Sequence, residues 1–380
     1  MFRTSLAYTT LSFAVLAGGF VACSSSTPDP VIEQASKQPP PRPEGGIAGD
    51  GDGVVLAINT IELGLKDGWK TIGYDLDNKV STKASTDLCK TNAGGTKSQV
   101  YEDGKDGIDN SFGKNLAPLL DQLASAQSSL DTSLEEGTFT IMVAIAELGT
   151  APNYLDLTAK LYAGADLGSP PKWDGTDAWP VVPELLTDPT DISTAKVQFK
   201  TSYVNDDVWV SGSPGSLGLG LSISGASFTI NISQAIITMN LAADRQSATE
   251  GVIAGVIEVE PFIEQLKSVA GSIDSGLCEG GLFDTIADTL RQASDIMADG
   301  TQDPNQTCDA ISIGLGFTAK AVNLGEIAEP AEPEPDPCAE TTGVGGAGGA
   351  GAGGAGGAGG SGTGGGGTGG GTGGGTGGGG

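Results

Sequence analysis

The middle of the chain alternates apolar and polar residues with a period of two, and this pattern constrains the fold more than any other feature. Val197, Phe199 and Tyr203 would lie on one face of an extended strand, and Gln198 and Lys200 on the other. Because successive side chains of a strand point to opposite faces, this segment is predicted to be a half-buried strand. Further strands are predicted at residues 54–63, 139–148, 155–163, 217–224, 227–241, 251–259 and 311–321.

Three segments change to the spacing of an α-helix. Leucines from Leu116 to Leu130 would share one face of a helix capped by Asn115, and residues from Leu282 to Met297 would form a second helix. Pro261 suits the first turn of a third helix. The sequence therefore predicts a mainly β body over residues 53–328, a β-sandwich or jelly roll with two or three inserted helices.

The first 22 residues are typical of an export signal. Arg3 supplies a positive charge, and residues 6–21 form an apolar segment that is too short to be a durable membrane span. The Phe-Val-Ala-Cys segment that ends at Cys23 resembles the bacterial lipobox, in which the cysteine is acylated. This predicts a signal peptide at residues 1–22 and attachment to a membrane through lipid on Cys23. An ordinary secretory signal that leaves Cys23 unmodified is the alternative.

Both ends of the remaining chain have compositions that cannot build a core. Residues 23–52 are rich in Pro and Ser and are predicted to form a stalk between the lipid and the body. Residues 329–380 begin with an acidic, Pro-rich run and continue as a Gly-rich tract, which predicts a disordered tail.

The chain is strongly acidic, with 19 Lys and Arg against 47 Asp and Glu and a formal net charge of −28. Nucleic acid is therefore not an expected partner, because phosphate binding needs clustered cationic side chains. An anionic membrane surface would also repel the body, so lipid on Cys23 is the expected means of membrane attachment.

The sequence contains no histidine. Ser-His-Asp and Cys-His nucleophilic systems, His-ligated zinc sites and HExxH metalloproteases are excluded by this count. An enzyme built from this chain would have to use groups such as carboxylates, and a familiar chemistry for these is glycan hydrolysis by a pair of Asp or Glu residues. The sequence alone does not single out such a pair.

Four cysteines besides Cys23 predict two disulfides in an oxidising envelope. Four cysteines allow three pairings. The preferred pairing is Cys278 with Cys308, which would join a predicted helix to the strand that follows it, and this leaves Cys89 with Cys338.

An acidic loop just before the first predicted helix is a candidate calcium site. It places carboxylates at every third position on a Gly-containing segment, and calcium takes six to eight oxygen ligands. The spacing departs from that of an EF-hand, and a solvated turn whose side chains bond their own backbone is the alternative. The candidate ligands are Asp103, Asp106, Asp109 and Asn110, with Asp50 and Asp52 as further ligands if the fold brings them close.

A second candidate site combines two tryptophans with two carboxylates in an irregular segment, residues 170–180. Sugar-binding loops join aromatic platforms to carboxylates, so Trp173, Asp174, Asp177 and Trp179 are candidate ligand-binding residues. The alternative is that both indole rings fold back to cover the end of the core, since Trp is usually largely buried.

Three segments, residues 69–77, 107–115 and 308–317, resemble segments of uncharacterised myxobacterial envelope lipoproteins. The likeness extends over most of the body, from about residue 54 to residue 317. It implies an envelope lipoprotein, and Ser24 after the lipidated cysteine permits sorting to the outer membrane. The resemblance carries no known activity.

The sequence as a whole predicts a lipid-anchored surface or periplasmic binding module, stabilised by calcium, with a glycan or protein ligand at the cell surface. Two alternatives remain: a glycan-acting hydrolase that uses paired carboxylates, and a structural envelope protein without a small-molecule ligand.

Substitution of the predicted lipidation site tests the anchor. Cys23→Ser should release the protein from the membrane fraction, because the acidic body has no other expected attachment. Cell fractionation followed by immunoblotting measures this. Unchanged membrane association of the variant would contradict the lipobox prediction.

Overall fold

Strands make up most of the regular structure in the computed structural model, which describes residues 35–223, 226–273 and 281–330. The ten strands are β1 (Val54–Glu62), β2 (Thr140–Ile145), β3 (Tyr154–Gly164), β4 (Ala178–Val181), β5 (Val197–Asn205), β6 (Val208–Val210), β7 (Gly215–Ile223), β8 (Ala226–Leu241), β9 (Ser247–Glu258) and β10 (Ala310–Ile327). The α-helices are α1 (Lys97–Val100), α2 (Ala117–Ala124), α3 (Ala126–Glu136), α4 (Val259–Ile273) and α5 (Gly281–Gln292), with a π-helical turn at Phe112–Leu116 and 3-10 turns at Gly68–Lys70, Lys105–Gly107, Pro183–Leu185 and Ile192–Thr194. The prediction of a mainly β body with few helices is confirmed.

Eight of the strands pair in a closed ring. The strands β1, β2, β3, β5, β6, β8, β9 and β10 are each hydrogen-bonded to the next in this order, and β10 returns to β1. All eight pairings are antiparallel, whereas β4 joins β10 in parallel and β7 extends the sheet from β8. Opposite walls of the closed sheet therefore face each other across a shared core.

The interior of the ring holds the main hydrophobic core, to which buried residues of all eight ring strands contribute. In β1, Leu56 and Ile58 belong to this core, whereas Ala57 between them belongs to a separate cluster on the outer face. Trp209 of β6 is fully buried inside. The period-two alternation of the sequence thus becomes the inside and the outside of the closed sheet.

Long connections cover parts of the outer face. Residues 165–196 bury Trp179 against Tyr162 of β3 in the cluster outside the first three strands. Residues 71–77 cover β9, where Tyr74 packs with Val252 and Ala254. This second layer places the loops of the candidate site over the outer face of the sheet.

The helices differ from the predicted ones at their ends. The first predicted helix begins as the π-helical turn at Phe112, before the predicted cap Asn115. Ser125 has a left-handed backbone, with φ of 48°, and therefore divides the rest of this helix into α2 and α3. The third begins at Val259, two residues before Pro261. Within the described residues, no helix has both the length and the apolar composition needed to span a membrane.

Part of the predicted stalk is docked on the body. Residues 36–47, which we call the strap, lie along the surface, and their Pro40 carbonyl accepts a 2.6 Å hydrogen bond from the Tyr203 hydroxyl. At the far end, Ile47 exchanges backbone hydrogen bonds of 3.2 and 3.1 Å with Asn153 and Leu155. Proline leaves its carbonyl as a strong acceptor and fixes the backbone in advance, so a Pro-rich segment can dock with little loss of entropy. The strap therefore cannot act as a spacer while it is docked.

The described disulfide joins Cys89 to Cys308. The preferred pairing of Cys278 with Cys308, and hence of Cys89 with Cys338, is wrong. A short backbone pairing explains the outcome, because Lys90 donates to the Gln306 carbonyl and accepts from the Cys308 amide, which brings the two cysteines side by side. Cys23, Cys278 and Cys338, the predicted signal peptide and the tail beyond residue 330 lie outside the described residues.

Removal of the disulfide tests this pairing. The bond closes a separation of 219 residues, so the double variant Cys89→Ser/Cys308→Ser should lose about 2–5 kcal/mol of unfolding free energy. Urea unfolding measures the loss, and peptide mapping without reductant should recover the peptides of Cys89 and Cys308 as one linked species. Recovery of Cys308 linked to Cys278 would contradict the structure.

Candidate metal centre

Three carboxylates from two loops converge on the outer face of the sheet. Asp75 and Asp77 follow the 3-10 turn at Gly68–Lys70, and Asp109 follows the turn at Lys105–Gly107. One oxygen from each carboxylate lies within 4.8 Å of those from the other two. Asp75 and Asp109 are buried and Asp77 is half-buried. We call Asp75, Asp77 and Asp109 the carboxylate triad.

Backbone amides of the first loop hold the triad together. Asp109 Oδ2 accepts a 2.7 Å hydrogen bond from the Leu76 amide and a longer one, 3.4 Å, from the Asp77 amide. The Lys79 amide donates to Oδ1 of both Asp75 and Asp77, at 3.0 and 2.8 Å. Short-range bonds from aspartate to backbone amides two to four residues ahead favour a tight loop, and this loop brings its two carboxylates to the third.

Two more carboxylates surround the triad. Asp103 and Asp295 line a small cavity of about 10 Å³ together with Asp109. This volume is about that of one water molecule or one small ion. Both oxygens of Asp295 are bonded by Ser312, whose amide donates to Oδ1 at 2.8 Å and whose hydroxyl donates to Oδ2 at 2.5 Å. Asp103 Oδ2 accepts a hydrogen bond from the Ser81 amide.

No hydrogen bond is described to Oδ1 of Asp103 or to Oδ1 of Asp109, whose partner oxygens are bonded. Asp77 is bonded by the Lys79 amide and by the Gln302 side chain. None of the ion pairs in the described ranges involves the five carboxylates. Lys114 also lines the cavity, but its Nζ lies over the Trp69 ring at 4.7 Å and donates to backbone carbonyls. Buried carboxylate oxygens are ordinarily hydrogen-bonded or paired with a cation, so this arrangement is short of positive charge.

The electrostatics of the five carboxylates reflect this shortage. Burial raises the pKa of Asp77 to about 6, that of Asp295 to about 7 and that of Asp103 to about 8. Burial, together with the neighbouring charges of Asp77, Asp103 and Asp295, holds the pKa of Asp109 well above its usual value. Burial also raises the pKa of Asp75. Without a cation, the site therefore retains protons at neutral pH, because several adjacent buried carboxylates cannot all ionise.

Asn110, a predicted ligand, has a different role. Its amide nitrogen donates to the carbonyls of Ile72 and Gly314, at 2.9 Å each, and its oxygen accepts from the amides of Gly113 and Gly314, at 2.8 and 3.0 Å. All of its hydrogen-bonding capacity is thus used to join the loop to β10. Gly314 is required at this contact, since a Cβ there would lie 2.4 Å from the Ile72 carbonyl oxygen. Asn110 positions the site and does not offer an oxygen to it.

The other predicted ligands separate into two groups. Asp103 and Asp109 are brought together as expected. The backbone of Asp106 is left-handed, with φ of 57°. Its side chain is 40% exposed, and its Oδ2 lies 3.9 Å from Lys105 Nζ. Asp50 accepts a 2.7 Å hydrogen bond from the Tyr154 hydroxyl, and neither it nor Asp52 belongs to the triad.

The tryptophan segment is organised as a cover over the core. Trp179 is fully buried and donates from Nε1 to the Ala165 carbonyl at 2.6 Å, while Trp173 packs against it with ring centroids 5.4 Å apart. Asp177 is buried and accepts hydrogen bonds from the amides of Lys172 and Trp173, and Asp174 binds Thr176 within an exposed turn. A sugar cannot stack on the Trp179 ring, so this arrangement corresponds to the alternative in which the indole rings fold back.

A groove of about 440 Å³ is lined in part by the loop that precedes the triad. Tyr74, directly before Asp75, forms part of its wall, and Lys37 of the strap forms another part. Polar side chains of the sheet face it, among them Glu62, Asn240 and Glu250. The groove therefore combines hydrogen-bonding groups of both signs on the outer face of the sheet.

Sequence reasoning missed Asp75, Asp77 and Asp295. The Asp-Leu-Asp-Asn segment at residues 75–78 carries alternating oxygen ligands, which is a signal of cation loops, but Asp295 follows α5 with no such pattern. The three segments noted for their resemblance to envelope lipoproteins meet here. The Asp109 amide donates to the Tyr74 carbonyl at 3.0 Å, and the Ser111 amide donates to the Ser312 hydroxyl at 2.8 Å.

Neither a family model nor a curated protein nor a solved structure matches this chain. The resemblance to myxobacterial envelope lipoproteins stays a prediction.

The raised pKa values predict how stability depends on pH when no divalent cation is present. The folded protein keeps protons on carboxyl groups with pKa values of about 6 to 8, whereas the same groups in the unfolded chain ionise near pH 4. The unfolded state binds fewer protons in this window, so the unfolding free energy should fall as pH rises from about 4 to 8.

Urea unfolding in EDTA at pH 5 and pH 8 measures this dependence. Asp103→Asn is the matched variant, because its amide does not ionise, and its stability should fall less over the same interval. A wild-type protein that is more stable at pH 8 than at pH 5 would contradict the predicted protonation of the site.

Proposed function

We propose that this protein is a lipid-anchored cell-envelope binding protein whose ligand-binding surface is ordered by a calcium ion held by Asp75, Asp77 and Asp109. The observation that carries the proposal is the carboxylate triad, in which three carboxylates lie within 4.8 Å of one another and share no cationic partner among the described residues. Burial of this charge is costly unless a cation compensates it.

The donor set favours a hard cation. The triad offers only carboxylate oxygens, the chain contains no histidine, and Cys89 and Cys308 are joined in a disulfide. Calcium binds oxygen at 2.3–2.6 Å, so two of its ligands lie at most about 5 Å apart. The triad meets this limit, and Oδ1 of Asp109, which accepts no described hydrogen bond, would bind the ion.

Asp103 and Asp295 would strengthen binding without contacting the ion. Their charges raise the pKa of Asp109, which shows that they act on the triad electrostatically. The same field attracts a divalent cation. A cation that enters the site would displace the protons held there, so its affinity should rise with pH.

The groove gives the ion a functional consequence. Its wall at Thr71, Ile72 and Tyr74 runs directly into Asp75 of the triad. An ion that fixes Asp75 and Asp77 would also fix this wall, and a glycan or protein ligand would find a preorganised surface with carboxylate, amide and ammonium groups. Lipid on Cys23 would hold this surface at the cell envelope, as the lipobox-like segment before it supports.

Calcium should stabilise the folded protein by mass action. At a calcium concentration one hundred times the Kd, the unfolding free energy should rise by about 2.7 kcal/mol. Thermal melts in EDTA and in millimolar calcium at pH 7.5 measure this shift. Asp109→Asn should abolish the calcium response and also raise stability in EDTA, because it removes a buried carboxylate from a repulsive cluster.

Asp106→Asn is the matched control. Asp106 lies in the same loop but outside the triad, and asparagine tolerates its left-handed backbone. The control should keep the full calcium response. Equal loss of response in both variants, or no response in the wild type, would contradict the proposed site.

A further inference from the structure

The first residues of the strap bond almost entirely to the loops of the candidate metal centre. The Ser36 hydroxyl donates to Asp75 Oδ2 at 2.5 Å. The backbone of Lys37 donates to the Asp106 carbonyl at 2.7 Å and accepts from the Asp75 amide at 2.9 Å. The Gln38 side chain donates to the Asp75 carbonyl at 2.8 Å. Asp75 is thus both a member of the triad and the main attachment point of the strap.

We infer that the cation at the carboxylate triad controls the docking of the first residues of the strap on the body. This inference rests on the proposed function, since it requires a cation at the triad. With the ion bound, Asp75 is fixed and residues 36–38 are held in place. With the ion absent, the attachment point loosens and the strap detaches from its N-terminal end.

The physical cause is the repulsion among the carboxylates. Without an ion, the carboxylate of Asp75 lies beside those of Asp77 and Asp109, and none of the described ion pairs involves them. The loop over residues 75–79 can relieve this repulsion by moving outward, because few apolar contacts hold it. Such a movement shifts the amide, the carbonyl and the carboxylate of Asp75 together, and all three are bonded to the strap.

The detachment has a structural limit. Pro40 and Pro41 are bonded by the side chains of Tyr203 and Asn205, and Arg42 pairs with Asp156, none of which belongs to the metal centre. Residues 36–39 are therefore the part that the ion controls. In an extended conformation these four residues span about 12 Å.

The coupling must be reciprocal. If calcium favours the docked strap, then the docked strap raises the affinity for calcium by the same factor. A side chain that hydrogen-bonds a metal-binding residue commonly changes metal affinity by about tenfold or more when it is removed. The two sides of this relation can be measured separately.

Hydrogen–deuterium exchange of the purified protein measures docking. The Lys37 and Asp75 amides, both bonded across this contact, should exchange at least tenfold more slowly in millimolar calcium than in EDTA. Cleavage after Lys37 by a lysine-specific protease should slow in parallel, since the docked side chain donates to the Thr71 carbonyl.

Calorimetric titration with calcium measures the reverse effect. Ser36→Ala should weaken binding by about tenfold. Gln38→Ala, which removes a bond to the Asp75 carbonyl and none to a triad carboxylate, should also weaken binding. Arg42→Ala is the control, because it releases the strap from Asp156 beyond the limit set by Pro40, and it should leave the calcium affinity unchanged.

The outcomes separate this inference from the proposed function. Calcium binding with unchanged exchange at Lys37, or with unaltered affinity in Ser36→Ala and Gln38→Ala, would overturn the coupling and leave the metal site in place. Absence of calcium binding by the wild type would overturn both. If calcium slows exchange at Lys37 in the wild type but not in Asp109→Asn, the metal site and the coupling are both supported, since Asp109 makes no described hydrogen bond to the strap.

Discussion

The pairing of β1 with β10 closes the sheet, and the positions of the other segments depend on that closure. Once the ring is closed, one face of every ring strand belongs to the interior, and the connections can pack only on the outside. β10 has the largest share in this arrangement, because its 18 residues pair in turn with β9, β1 and β4. Its Ser312 and Gly314 then hold Asp295 and Asn110, so the candidate metal centre is built on the strand that completes the ring.

Most of the fold could be predicted from the period of the sequence. The segments around Val197 and Ile311 alternate large apolar residues with polar or small ones and are strands in the structure. The break at Ser125 could not be predicted, since a serine in the left-handed region has no pattern in one sequence. The docking of the strap was missed for another reason: a Pro-rich composition shows that a segment has no core of its own, but not whether side chains such as Tyr203 bind its carbonyls.

Part of the candidate site could be predicted, because only one of its loops has a recognisable sequence pattern. The acidic run from Asp103 to Asp109 is local and was recognised, and two of its carboxylates reach the cluster. Asp295 is nearly two hundred residues from Asp109, and the two line the same small cavity because the chain is folded. Composition gave equal weight to Asn110, whereas the structure uses all of its polar atoms for hydrogen bonds that shape the loop. Long-range contacts of this kind become visible only when the fold is known.

The closed ring also bears on how this chain behaves when it is damaged. An exposed strand edge is a template on which a second chain can add a strand and begin to aggregate. Within the described residues, each ring strand has neighbours on both sides, and β7 is the strand left with one. Loosening of the carboxylate triad acts on an outer loop, whereas release of the whole strap would uncover only the start of β3, where Ile47 is bonded to Asn153 and Leu155. The closed ring therefore limits self-association through strand edges even when the outer loops loosen.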